Sequence, residues 1–178
     1  LMMKFRQTLI RTGALALVLG LLNGCANTPP STTAAISNWQ TLEQITPGFK
    51  GVSIKVETNA STYRINDPIR FQVTSSHPGK LWIVEVNQRD VASVLLPNAR
   101  MTNNLIRAGV PMTVPDSSWG LDLRASAPAG RSQVVFFVTP PDMTLDDIAQ
   151  IDNGKISTVA FPSNKAWGLQ RVFLNISN

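Results

Sequence analysis

A single cysteine, Cys25, is all that this chain of 178 residues offers for covalent cross-linking, so it can form no internal disulfide. The fold must be held by burial alone, and the roughly 150 residues beyond Cys25 suffice for one core. Alternation supplies that core. Val52, Ile54 and Val56 alternate with Ser53, Lys55 and Glu57, and Ile69, Phe71 and Val73 alternate with Arg70, Gln72 and Thr74. That is the period of half-buried strands. Asn66-Asp67-Pro68 supplies turn chemistry between the two runs. Leu81 to Val86 is apolar on both faces, as a central strand requires, and Asn87 to Asp90 turns it into Val91 to Leu96. Gln133 to Val138 and Gln170 to Ile176 read as strong strands, Val110 to Val114 and Leu121 to Leu123 as weaker ones.

One helix interrupts the series. Thr144 and Asp147 form a capping box, Leu145, Ile148 and Ile151 make an apolar face, and Gly154 stands where a left-handed cap ends a helix. Short strands with frequent turns and no alternating helices predict an all-β chain: an antiparallel immunoglobulin-like sandwich over residues 51–178, with one short helix near residues 145–152. Ahead of it, Ile36, Trp39, Leu42 and Ile45 are spaced for one face of a short helix, with Ser37 or Asn38 as its cap.

The segment before Cys25 has the layout of a signal peptide. Lys4, Arg6 and Arg11 precede the apolar run Gly13 to Leu22, which is about half the length that a spanning helix needs. Leu22-Asn23-Gly24-Cys25 resembles the lipobox of bacterial lipoprotein precursors, with Asn23 in a slot more often held by Ala or Ser. The resemblance implies cleavage after residue 24, a diacylglycerol on the Cys25 sulfur and an acyl chain on its amine. Several chains together hold a protein on a bilayer durably. Ala26, where an Asp would favour inner-membrane retention, points to the outer membrane. Residues 25–50 then comprise the lipidated cysteine, a small, polar, Pro-containing tether from Ala26 to Ala35, and the short helical segment.

Charge narrows the partners. The formal +5 includes Lys4, Arg6 and Arg11, so the mature chain stands at +2 with its Lys and Arg dispersed. That is no nucleic-acid footprint. With Cys25 carrying the anchor, no thiol remains for a redox pair or a zinc site.

The strands and turns also carry a resemblance. Tyr63 to Val73, Leu81 to Val86, Val94 to Asn98, Arg107-Ala108-Gly109, and Ala127 to Gly130 followed by Gln133 to Val138 are similar to the domain of unknown function 4384 family, over about residues 52 to 140. The chain departs from that pattern with Asn66-Asp67 where Gly-Asp is common and Leu96 where Phe is common. The resemblance implies a β-rich, immunoglobulin-like extracytoplasmic module with no catalytic residues to carry over.

Enzyme chemistry has little support in the residues. His77, the only histidine, lies in a Ser-His-Pro-Gly turn with no nucleophile elbow elsewhere. Asp142, Asp146, Asp147 and Asp152 invite a calcium reading, but their spacing fits no EF-hand loop and the helix cap accounts for two of them. No cofactor is expected. Tryptophans are the better lead. Trp82 reads as core, whereas Trp119 and Trp167 lie next to turns, where they either close the end of the fold or anchor a partner. Two functions follow as expectations. The first is a non-catalytic, lipid-anchored envelope module that binds another protein and supports a secretion or surface assembly. The second is a lipoprotein binding a small ligand or glycan in loops at one end.

Overall fold

The chain divides at residue 35, and its second unit, residues 35–178, is compact. The computed structural model describes residues 35–47, 51–120, 122–160 and 164–178, all in the second unit. Cys25 and its Leu22-Asn23-Gly24 approach lie outside the described residues.

The second unit is β-rich. Thirteen strands are described: β1 Ile54–Thr58, β2 Thr62–Arg64, β3 Pro68–Ile69, β4 Phe71–Ser75, β5 Gly79–Val86, β6 Ala92–Leu96, β7 Leu105–Ile106, β8 Met112–Val114, β9 Leu123–Arg124, β10 Gly130–Thr139, β11 Ala149–Asp152, β12 Lys155–Thr158 and β13 Gly168–Ser177. A three-stranded sheet runs β1-β4-β8, and a larger one runs β2-β13-β10-β5-β6, with β7 pairing the start of β5. Every named pairing is antiparallel except β2 with β13. The long registers Val134↔Val172 and Val135↔Val84 put β10 at the centre of the larger sheet.

Alternation along β10 divides the interior. Val134, Phe136 and Val138 face the smaller sheet and share a core with Ile54, Phe71, Val73, Leu81, Ile83 and Leu174. Phe71 meets Phe136 edge to face at 5.0 Å across the two sheets, a preferred aromatic geometry. Val135 and Phe137 face the other way, into a second core with Val84, Val86, Leu42, Ile148, Ile156 and Trp167. Two sided burial explains why Leu81 to Val86 carries no polar alternation. Gly79 opens β5 because a Cβ there would stand 2.3 Å from the Thr139 carbonyl oxygen.

The second core is covered by a helix and a hairpin. Helix α1, Asn38–Gln44, starts at Ser37, whose side chain accepts from Gln40 N while Gln40 returns the bond in a capping box. Asp90 accepts from the Asn38 and Trp39 amides at 3.0 and 2.8 Å, and Arg171 Nη2 donates to the carbonyls of Leu42 and Glu43 at 3.0 and 3.1 Å. An anion at the N-terminus and a cation at the C-terminus both oppose the helix dipole. Leu42 and Ile45 are fully buried, so the folded unit begins near residue 35, not at 51. Ile36, expected on the same face, is instead 62% exposed. Trp39 stacks on Phe173 at 5.7 Å, with the Arg131 guanidinium over both rings.

The helix expected near residues 145–152 is not there. The Thr144–Asp147 capping box forms, but it closes only a 3-10 turn, Leu145–Asp147. The chain then enters β11, which pairs β12 in the register Ile151↔Ile156 and Asp152↔Lys155. Asn153 and Gly154 make the turn, with φ of 46° and 76°. Asn-Gly with two positive φ values is the favoured two-residue hairpin connection, so Gly154 turns a hairpin and does not cap a helix. Asn38 locks this hairpin down: its Nδ2 donates to Gly154 O at 2.8 Å and to Asp90 O, while its Oδ1 accepts from Ile156 N at 3.1 Å.

Candidate partner-binding groove

Two exposed aliphatic residues, Leu105 and Val110, lie close together where β5 begins. Lys80↔Leu105 and Gly79↔Ile106 pairing brings β7 beside that end of the larger sheet. Asn104, buried, fixes the approach, since its Nδ2 donates to Leu81 O at 3.0 Å and its carbonyl accepts from Leu81 N at 2.7 Å. Leu105 is thereby turned outward and is 61% exposed. The chain then bends at Gly109, φ 69°, whose amide donates to Ser75 O at 2.8 Å. Val110 beyond it is 49% exposed.

From there β8 runs along β4, with Val73↔Met112 and Phe71↔Val114 in register, and forms one edge of the smaller sheet. Asp116 caps the following 3-10 turn, Ser117–Trp119: its carboxylate accepts from Ser118 N at 2.9 Å and from Ser118 Oγ at 2.6 Å. Those bonds, the hydroxyl's first, hold the Asp116 carboxyl below its ordinary range. Gly120, φ 60°, ends the turn and accepts from Arg100 Nη1 at 2.8 Å. Trp119 is consequently held half-buried, packed against the first core on one side. Leu105, Val110, Met112, Asp116 and Trp119 line a groove of about 390 Å³ between β7 and β8. Chemically it offers aliphatic surface, one indole, the Asp116 carboxylate, the Arg107 guanidinium, polar Asn103 and Thr113, and an unpaired strand edge.

The other expected site residues fall elsewhere. Trp167 is 1% exposed and packs 6.2 Å from Phe137 in the second core, so its ring is no surface anchor and belongs to the interior. Gly168 after it abuts Val52 O so closely that the strand start is pinned there, and this seats the indole inward. Trp82 donates through Nε1 to Thr139 Oγ1 at 2.9 Å and lies against the second core. His77 is exposed and stands beside Ser76 Oγ at 2.9 Å. Asp142 pairs with Lys165 at 2.5 Å, Asp147 caps its own turn, and Asp152 lies in β11. Among the described residues no group of three or more His, Cys, Asp or Glu could hold a metal ion. No described helix is long and apolar enough to cross a membrane.

Leu105 and Val110 carried no distinctive pattern in the sequence. Their exposure follows from how Asn104 and Gly109 direct the backbone, which only the pairing of β7 with β5 reveals.

Residues 62–141 match the family described as Domain of unknown function (DUF4384). The match takes in β2 through β10 and the whole groove, and leaves α1, β1, the β11-β12 hairpin and β13 outside. Its turn residues have structural work. Asn66, in the slot where glycine is common, adopts φ 76°, a left-handed conformation that Gly or Asn accepts most readily. Asn98 Oδ1 accepts from the amides of Arg100 and Met101 at 2.9 Å each, and its Nδ2 donates to Leu95 O at 2.8 Å. No curated protein and no solved structure matches the chain.

Proposed function

We propose that this protein is a lipid-anchored, non-catalytic module of the bacterial outer membrane, an immunoglobulin-like sandwich moored through Cys25, that binds another envelope protein. The observation that carries the binding role is the groove between β7 and β8. Two large aliphatic side chains stand in water there beside a half-buried indole and an open strand edge. A partner segment in extended conformation would add to the β8 edge through its backbone and place alternate apolar side chains on Leu105 and Trp119. Trp119 is the only aromatic residue on the lining, and this favours a protein over a glycan, which would want a broader aromatic platform. The tether raises the effective concentration of the module near other anchored proteins.

In-cell photocrosslinking from position 105, compared between wild type and Trp119→Ala, tests the reading. It predicts a discrete crosslinked species of fixed mass that is lost in Trp119→Ala while the variant remains folded and equally abundant. A species unchanged by Trp119→Ala, or no discrete species, would overturn it.

A further inference from the structure

At the far end of β5 from the groove, the two sheets part around a second, smaller cavity of about 50 Å³. Ile69, Phe71, Leu95 and Leu174 form apolar walls. Glu85 and Ser132 enter this space from the larger sheet. Glu85 shares its face of β5 with Leu81 and Ile83 and pairs across to Val134. Ser132, only 1% exposed, closes no side-chain hydrogen bond of ordinary geometry, though its hydroxyl lies close enough to favour the charged form of Glu85. Burial outweighs that help and pushes the Glu85 carboxyl up.

Glu85 also lacks a countercharge. It takes part in none of the ion pairs among the described residues, which join Lys55 to Glu57, Arg124 to Asp122 and Lys165 to Asp142. Arg124, the one cation on the lining, is committed to Asp122 at 3.0 Å and to the Asn66 carbonyl at 2.9 Å. A largely buried acid against apolar walls, whose one neighbouring cation is bound to other groups, costs stability that an aliphatic side chain would not.

We propose that this cavity binds a primary alkylammonium group, with the Glu85 carboxylate as counter-ion, the Ser132 hydroxyl as second acceptor, and the apolar walls around its first carbons. The size agrees. A water needs about 10–15 Å³ of such space, so the cavity takes an ammonium head with one or two carbons and excludes a whole amino acid. The same chemistry is presented by a free small amine and by the tip of a partner's lysine.

Titration of the full-length mature protein in detergent with ethylammonium chloride, followed by calorimetry and by the carboxyl carbon resonance of Glu85, tests the assignment. Saturable binding is expected at neutral pH, weakened at least tenfold in Glu85→Gln and several-fold in Ser132→Ala, and lost on acidification as Glu85 takes up its proton. Occupancy should also lower the midpoint of the Glu85 titration in the wild type, a readout that needs no variant to fold. An N-acetyl-lysine amide that binds as well assigns the site to a lysine tip; binding of ethylammonium alone assigns it to a free amine. Lack of saturation, equal binding by Glu85→Gln, or the same response to tetramethylammonium would overturn the proposal and leave a watered cavity beside a neutral acid.

Discussion

Glu85 makes this fold sensitive to pH in a predictable direction. Its folded-state titration lies above the ordinary value because burial disfavours the charged form. Below its unfolded-state titration the group is protonated in both states and costs nothing. As pH rises from there through the raised folded-state value, the native protein must surrender a proton it holds more tightly, and stability is lost. Glu85→Gln should therefore match the wild type in acid and exceed it in denaturant midpoint at neutral pH; a variant less stable at neutral pH would contradict the burial argument. Asn38 is the opposite case, a buried polar side chain with its hydrogen bonds made. Asn38→Ala leaves the Ile156 amide unpaired and should cost about 1–3 kcal/mol in chemical denaturation. At this scale the sequence was uneven. Trp82 against the core was legible from its strand, but Trp167 was not, because a ring beside a turn is placed by the close approach of Gly168 to Val52, a contact between distant segments.

The elements that cover the second core show where local pattern decides and where it does not. Ile36, Trp39, Leu42 and Ile45, with Ser37 or Asn38 as the cap, were enough to read α1; Ser37 caps it and Leu42 and Ile45 are buried, while Ile36 is not. What the spacing did not carry is that Asp90 and Arg171, each far from the helix in sequence, hold it in place. Leu42→Ala should destabilise the whole second unit by about 2–5 kcal/mol, since the vacated space lies among Val84, Phe137 and Trp167. Residues 141–154 illustrate two local signals in competition. The capping box is real, yet the Asn153-Gly154 turn and the Ile151↔Ile156 pairing prevail after one turn of 3-10 helix, because so short a helix has little stability of its own. Replacing Asn153-Gly154 by Ala-Ala should lower the melting temperature measurably and raise amide exchange in β11 and β12 first. A helix in that variant's exchange pattern would contradict the hairpin account.

Across the whole second unit, the β-rich class and the positions of the main strands could be anticipated, because alternation and turn residues are local. The second core could not, since it forms only when α1, the hairpin and the reverse face of β10 come together from three parts of the chain. The family match over residues 62–141 leaves much of that second layer outside. The groove and the Glu85 cavity lie at opposite ends of β5, leaving the binding of a protein and of an ammonium group sterically independent. The proposed function depends on anchorage through the Cys25 sulfur. Intact mass spectrometry of the processed protein tests that directly. A polypeptide that begins at Cys25 and carries the added mass of a diacylglycerol and an acyl chain is the predicted result; a free thiol, a retained leader or cleavage at another position would contradict it.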